Sequence, residues 1–279
     1  MLGTLENSIR VRPISSELSI LGNCDGSARV KQGNSSVMVG IWGPVEVKQS
    51  KEDPEKCVIE TTVKGATGQG SPLDKMYEEA VRQTCEQVVI TSAHPRRTCI
   101  QVRAGTCIQV RAGTCIQVRA GTCIQVRAGT CIQVRAGTCI QVIVQVESED
   151  GAILAVMKNA LCLALMDAGL PMRSMFAGVS CAQQENEELM WDPTAEEEEE
   201  STAQYTFVYE NSRNNVIYVH CTGESTVEQY MLALQKSRQV ATEVFGFYRE
   251  SFEKLLRKDV KFQMLLPPII KGEILEEPE

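Results

Sequence analysis

The sequence predicts an α/β (α+β) fold of two halves, in which each half is a group of strands followed by a packed helix. Three observations support this prediction: an alternating, turn-rich segment near the N-terminus, a segment of helical spacing after it, and a helix in the second half that is apolar on all sides. The chain has 279 residues, of which 43% are hydrophobic and 23% are charged. This composition excludes disordered, collagen-like and disulfide-scaffold proteins, and a chain of this length can bury a sizeable core.

The first half is predicted to form a β-meander followed by an amphipathic helix. The segment GNCDGSARVKQGNSSVMVGIWGPVEVK contains a turn at Asp25-Gly26 and a buried run over 37–42. After a polar loop that contains glycine, apolar residues recur at helical spacing over 73–89, before His94-Pro95. The first half is therefore predicted to start with strands and to end with a helix.

The second half opens with a long period-two strand and the helix GAILAVMKNALCLALMDAGLP, which ends at Gly169. Because this helix is apolar all round, it is predicted to be buried. Ser225 and Glu228 form a capping box that opens a helix of about 30 residues, and the tail after it is expected to be disordered or to dock on a neighbour. Between the two helices, strands are predicted at 175–182, 205–209 and 216–221, with an acidic loop at 183–203.

A tandem repeat interrupts this pattern, because TCIQV occurs six times at a period of eight over 98–142. Perfect identity among copies indicates recent duplication, and removal of five copies joins the flanks into one strand. A folded insertion is predicted to be a protruding meander with RAG turns. The cysteines of the repeat lack the paired spacing of a zinc site. An unrelated repeat protein, organised by this array, remains an alternative.

Charge limits the classes of partner. The 28 basic and 36 acidic residues give a net charge of −8, which argues against nonspecific coating of nucleic acid. The segment 87–146 contains no acidic residue. Of its seven arginines, Arg96 and Arg97 are the two that the repeats do not supply. The N-terminus lacks the apolar region of a signal peptide, and no stretch suits a bilayer, so we expect reduced cysteines and no contact with a membrane. His94 and His220 lack an evident partner for a metal or nucleophilic site.

With the repeat collapsed, the chain resembles the RNase PH family over nearly its whole length, and most closely the noncatalytic RNase PH-like ring subunits of the RNA exosome. The segments that carry the resemblance are CDGSARVKQGNSSVMVGIWGPVEVK, VRQTCEQVVITSAHPRRT, DGAILAVMKNALCLALMDAGLPMRSMFAGVSCA, WDPT and VFGFYRESFEKL. The resemblance implies two βαβα-type halves with a long C-terminal helix. It assigns 15–261 to the RNase PH-like domain, interrupted by the repeat insertion at about 103–142, and 262–279 to a C-terminal tail.

The resemblance also locates the family's phosphate site and its carboxylates. Active members carry an arginine in the turn that starts the buried helix, where this chain has Leu154, and a second phosphate-binding arginine aligns with Gln83, beside Arg82. The two family acids fall on Asp192 and on Glu198. These two carboxylates are therefore vestigial candidates, and we expect no catalytic residue, no metal and no cofactor.

The hypothesis from sequence is a noncatalytic ring subunit of the RNA exosome, a 3′–5′ exoribonuclease complex for rRNA processing and RNA degradation. The expected partners are other RNase PH-like ring subunits, RNA-binding cap subunits and RNA, with Arg96 and Arg97 as RNA contacts and homo-association of the isolated chain. The resemblance implies residence in nucleus, nucleolus and cytoplasm. The alternative is an active 3′–5′ exoribonuclease or a metal-dependent nuclease that uses Asp192.

Overall fold

The computed structural model describes residues 11–46, 57–65, 71–91, 107–110, 123–126, 138–184, 189–213 and 215–258. It shows two large sheets, two long helices, a helix between the sheets and one short helix, which confirms the predicted α/β class. The strands are β1 (Ile14–Leu18), β2 (Gly26–Gln32), β3 (Ser35–Glu46), β4 (Val58–Lys64), β5 (Cys107–Val110), β6 (Cys123–Val126), β7 (Thr138–Ser148), β8 (Phe176–Gln183), β9 (Leu189–Trp191), β10 (Ala203–Glu210) and β11 (Val216–Gly223). The helices are α1 (Pro72–Val88), α2 (Ile153–Asp167), α3 (Ala195–Glu199) and α4 (Val227–Lys258).

The first sheet contains five strands in the order β1-β2-β3-β7-β4. Strands β1, β2 and β3 are successive antiparallel neighbours, which confirms the predicted meander. Strand β7 is antiparallel to β3 and parallel to β4, and α1 lies in the connection between β4 and β7. Helix α1 begins where predicted, because the Ser71 side chain accepts a hydrogen bond from the Leu73 N–H.

The second sheet contains four strands in the order β11-β10-β8-β9, all antiparallel. The two halves therefore differ in strand pairing, since the parallel β4–β7 pair has no counterpart in the second sheet. Helix α4 packs against β8 and β10, and β11 lies at the edge of the sheet. This arrangement leaves one face of β11 outside the cover of α4.

Helix α2 lies between the two sheets and is buried almost completely. It packs on β2 and β3 from one side and on β8 and β10 from the other, and thirteen of its fifteen residues are buried. This confirms the prediction from its all-round apolar sequence. Gly26 permits the close approach of β2, because a Cβ there would lie 2.3 Å from the Ala168 backbone nitrogen. Among the described residues, no helix has the length and the hydropathy needed to cross a bilayer.

Two local predictions in the second half are wrong. The predicted acidic loop contains the helix α3, which starts because the Thr194 side chain accepts from Glu197 N–H. The capping box of α4 is formed by Thr226 and Gln229, rather than by Ser225 and Glu228: Thr226 N–H donates to Gln229 Oε1 at 2.9 Å. The sequence offers a hydroxyl at two successive positions, and spacing alone does not choose between them.

The repeat differs from the predicted meander, since β5 and β6 pair in parallel. Cys107 pairs with Cys123 and Ile108 with Ile124, so β5 pairs with the copy two units further along the chain. A meander would place consecutive copies antiparallel. The remaining copies before β7 lie outside the described residues.

Lys158 is a fully buried lysine at the middle of α2, and it connects α1, α2 and β11. Its ammonium donates to the Ala80 carbonyl and to Thr84 Oγ1 on α1, and it lies 4.4 Å from the centre of the Tyr218 ring on β11. Burial lowers the pKa of Lys158 to about 7, and the neighbouring Cys85 opposes this shift.

Replacement of Lys158 by Met should flatten the dependence of stability on pH. Between pH 7 and pH 10.5 the folded lysine is largely neutral whereas the unfolded lysine is protonated, so the unfolded state binds more protons and stability rises with pH in this window. The slope contributed by this group is at most about 1.4 kcal/mol per pH unit. Urea unfolding of both proteins from pH 7 to pH 10 measures it.

The matched control is Lys236→Met, which removes an exposed lysine of α4 and should keep the slope of the wild-type protein. Parallel curves for the wild-type protein and Lys158→Met would contradict a depressed pKa for Lys158.

Candidate functional site at the start of helix α2

The turn that starts α2 has a left-handed backbone and lacks the arginine of the resembled family. Gly151 has φ = 75° and Ala152 has φ = 52°. A Cβ on Gly151 would lie 2.4 Å from the Pro193 carbonyl oxygen, so this position requires glycine. Leu154 is buried, with 5% of its surface exposed. Its side chain therefore offers neither charge nor reach to an anion at the helix start.

Glu198 supplies the negative charge at this position from within the chain. Its Oε1 accepts a hydrogen bond of 2.7 Å from the Ala152 N–H. The amino-terminal end of a helix carries a partial positive charge and favours an anion. Burial raises the pKa of Glu198, and the hydrogen bond from Ala152 acts in the opposite direction. The carboxylate of Glu198 thus accepts a hydrogen bond from a backbone donor at the start of α2.

Asp192 is bound by an arginine from the N-terminal segment. Arg12 Nε donates to Asp192 Oδ2 at 2.7 Å and Arg12 Nη2 donates to Asp192 Oδ1 at 2.7 Å, a bidentate pair. Arg12 Nη1 also donates to the Asp150 carbonyl at 2.8 Å. Asp192 is 5% exposed and has φ = 55°. Both of its carboxylate oxygens therefore bind Arg12, which connects the segment before β1 to the acidic segment and to the start of α2.

The sequence did not single out Arg12, although the arginine stands just before β1 and could have been matched to the acidic segment by charge. Within the predicted acidic loop at 183–203, Asp192 is buried and Glu198 is half-buried. The burial results from the pairing with Arg12 and from the contact with Ala152. Both contacts join residues more than 40 positions apart, and local sequence does not reveal them.

The position that aligns with the family's second phosphate-binding arginine holds an uncharged glutamine, Gln83, in this chain. Gln83 is exposed and donates to Glu79 Oε1 at 2.9 Å. Arg82, one position away, forms ion pairs of 2.6 Å with Glu79 and with Glu86 on its own helix. Arg82 lines a cleft of about 550 Å³ between α1 and β4. If the alignment with the family is shifted by one residue, Arg82 takes this position. Its guanidinium is already paired with Glu79 and Glu86.

Of the remaining candidate residues, the structure describes only His220. Arg96, Arg97 and His94 lie outside the described residues. His220 lies on β11, and burial lowers its pKa, with the charge of Lys158 acting in the same direction. Within the described parts of the chain, no group of three or more His, Cys, Asp or Glu side chains is placed to hold a metal ion.

Removal of Arg12 should destabilise the fold, because Asp192 would remain buried without its partner. We expect Arg12→Met to lower the free energy of unfolding by about 3 kcal/mol, and the double variant with Asp192→Asn to recover part of the loss. A double-mutant cycle by urea unfolding measures the coupling. Arg29→Met removes a partly exposed arginine that pairs with Glu147 and Glu17 on the surface of the first sheet, and it should have a smaller effect because these glutamates remain in contact with water when unpaired. Equal losses for the two arginines would contradict the role of Arg12.

Removal of Glu198 should open the start of α2 to external anions. We expect phosphate to raise the melting temperature of Glu198→Ala, by about 2 °C at tenfold excess over Kd, and to leave the wild-type protein unchanged. Differential scanning fluorimetry with a phosphate titration at fixed ionic strength tests this. Glu199→Ala removes an exposed neighbour on α3, and its response should match that of the wild-type protein. A phosphate response shared by both variants would exclude competition at Ala152.

Comparison with known proteins places this geometry in context. Residues 10–171 match the 3′ exoribonuclease family, domain 1, and residues 174–239 match domain 2 of that family. The chain is 24% identical over 262 residues to the exosome complex exonuclease RRP46 homolog of Arabidopsis thaliana, and the match covers 88% of this chain and 92% of the relative.

Two solved structures share the fold. The crystal structure of Rrp46 from rice (Oryza sativa) superposes with a TM-score of 0.69 at 24% identity, covering 88% of this chain and 97% of that one. The Archaeoglobus fulgidus exosome with RNA bound to the active site gives a TM-score of 0.63 at 18% identity, covering 87% and 89% of the two chains.

Proposed function

Because the chain belongs to the 3′ exoribonuclease (RNase PH) family, we propose that it is a noncatalytic ring subunit of an RNA exosome, within a complex that processes rRNA and degrades RNA from the 3′ end. Relatives that match most of the chain are named as exosome components, including one from Saccharomyces cerevisiae that is 24% identical over 83% of this chain. Obligate contacts within such a ring bury about 2,000 Å² or more.

The observation that carries the noncatalytic assignment is the hydrogen bond from the Ala152 N–H to Glu198. Phosphorolysis requires inorganic phosphate at this helix start, and a carboxylate there repels it. Leu154 is buried where active relatives are expected to place an arginine. One preorganised donor contributes about 3 to 4 kcal/mol to stabilisation of a transition state, so the absence of this cation argues against phosphorolysis.

The alternative is an active nuclease. The family itself and the Arabidopsis relative named as an exonuclease favour it. In a metal-dependent reaction Asp192 would be the first candidate ligand. Its pairing with Arg12 at 2.7 Å on both oxygens opposes this role, because a metal ion would have to displace the guanidinium.

We extend the proposal to the other expected properties of a ring subunit. Arg96 and Arg97 contact RNA, because they are the basic residues of an acid-free segment that the repeat did not supply. Cap subunits bind the assembled ring, the isolated chain associates with itself, and the protein resides in nucleus, nucleolus and cytoplasm. The net charge of −8 confines RNA contact to a local surface.

The proposal is tested by purifying the tagged protein from its own cells, identifying partners by mass spectrometry and assaying the isolated chain for shortening of RNA. We expect stoichiometric RNase PH-like partners, and no shortening of RNA by the isolated chain with phosphate or with Mg²⁺. Activity of the isolated chain that Asp192→Ala abolishes would overturn the noncatalytic assignment. Purification without RNase PH-like partners would overturn ring membership.

A further inference from the structure

The tandem repeat is the part of the chain to which the proposed function assigns no role. Its six copies of TCIQV are identical, and the last copy, at 138–142, begins β7 in the first sheet. The other five copies lie between residues 98 and 134, and we call them the repeat array. Two of these copies form β5 and β6, which make up a separate two-stranded sheet. The repeat array therefore contains strands that belong to neither large sheet.

The pairing of β5 with β6 shows how one copy of TCIQV binds another. The two strands run parallel, with Cys107 opposite Cys123 and Val110 opposite Val126. Each strand has the sequence CIQV, which carries no charge and contains two β-branched residues, a type that favours strands. Because all copies have the same sequence, every copy can take the place of β5 or β6 in this pairing. The repeat array is therefore self-complementary.

A stack built from these copies must end in open edges. A sheet loses its edges only by closing into a barrel, and small barrels contain about eight strands, whereas the repeat array has five copies. Repeat proteins cover the ends of such stacks with terminal repeats of different sequence. The first copy, at 98–102, is identical to the internal copies and supplies no such cap. The sequence CIQV also lacks the charges and prolines that protect natural edge strands.

The RNase PH-like fold does not cover the described strands of the repeat array. Among the described elements, β5 and β6 form an extensive contact only with each other. The sixth copy cannot extend their sheet, because β7 pairs with β3 at one edge and with β4 at the other. A two-stranded sheet is only marginally stable in water, and added strands stabilise it. The partner that matches these edges in sequence and in direction is another copy of TCIQV.

We propose that the repeat array binds the repeat array of a second copy of this chain, by parallel, in-register addition of one TCIQV strand to another. Main-chain hydrogen bonds hold the added strand, and identical residues lie opposite each other, as in the pair of β5 and β6. One edge of the stack meets the opposite edge of the next, so the contact is head-to-tail and continues beyond a dimer. The repeat is an insertion into the RNase PH-like domain, so this inference goes beyond the proposed function and does not depend on it.

The arginines of the repeat oppose this association. In-register stacking brings together the arginines that follow the copies of the array, which are Arg103, Arg111, Arg119, Arg127 and Arg135. Salt shortens the range of their repulsion, from about 10 Å at 0.1 M to about 3 Å at 1 M. We therefore expect association through the repeat array to strengthen from about 0.1 M to about 1 M NaCl. Weaker association at high salt would contradict the stacking of like charges.

Deletion of residues 103–142 removes the repeat array without changing the sequence of β7. It joins the first copy directly to Ile143, which restores TCIQVIVQVES. We expect sedimentation velocity to show that the full chain associates with itself at a concentration at least about tenfold lower than the deletion variant does. Circular dichroism and thermal unfolding confirm that the variant is folded. Equal association of the two proteins, or a full chain that is monomeric at every concentration, would overturn the inference.

Substitution tests strand pairing at constant chain length. One lysine in each copy of the array opposes addition of a strand at its edge. The variant carries Ile100→Lys, Ile108→Lys, Ile116→Lys, Ile124→Lys and Ile132→Lys. We expect it to associate as weakly as the deletion variant. Valine at the same five positions keeps an uncharged β-branched residue and should retain the association. A lysine variant that associates like the wild-type protein would exclude strand pairing.

Two differently tagged copies of the chain, produced in the same cells, identify the occupant. We expect wild-type copies to co-purify with each other after ribonuclease treatment, and copies of the deletion variant to do so at least about tenfold less. Loss of co-purification on ribonuclease treatment would show that RNA joins the chains, and a second copy would then be the wrong occupant.

The same purification separates this inference from the proposed function. Recovery of RNase PH-like partners by the wild-type protein and by the deletion variant alike, without co-purification of two tagged copies, would leave ring membership standing and overturn the inference. Co-purification of two tagged copies through the repeat array, without any RNase PH-like partner, would support the inference and overturn ring membership.

Discussion

The enclosure of helix α2 between two sheets is the constraint on which the rest of the structure depends. A helix without an exposed face must satisfy its polar side chains internally. Asn159 Nδ2 donates to the Gly178 carbonyl, while its Oδ1 accepts from the Gly178 N–H and from the Tyr248 hydroxyl. Lys158 binds groups on α1 in the same way. These bonds connect α2 to β8, α4 and α1, and so unite the two halves.

Periodicity predicted the elements that bury a face, because burial imposes a pattern on sequence. The meander, α1, α2 and the long final helix follow from such patterns, with boundaries shifted by up to four residues. Contacts between distant residues leave no such pattern, which is why the pair of Arg12 with Asp192 and the contact of Glu198 with Ala152 were missed. The parallel pairing of β5 and β6 was also missed, since identical copies fit several registers equally well.

The start of α2 is a left-handed turn whose Ala152 N–H donates to a carboxylate of the chain itself. Ala152 and Asp192 both have a left-handed backbone, at φ = 52° and 55°, which costs of order 1 to 3 kcal/mol for each residue other than glycine. The contacts from Glu198 and Arg12 offset this strain. These two contacts therefore help to fix the shape of the turn that holds α2 in place.

The pair of Arg12 and Asp192 also has a consequence for synthesis of the chain. The two residues are 180 positions apart, and ribosomes add about 5 to 20 residues per second. Arg12 therefore leaves the ribosome roughly 10 to 35 s before its partner exists. Ser16, which donates to Ser251 on α4 across 235 positions, waits longer. The segment that contains Arg12 and Ser16 is thus made well before the residues that fix it, and in that interval it is open to chaperones and proteases.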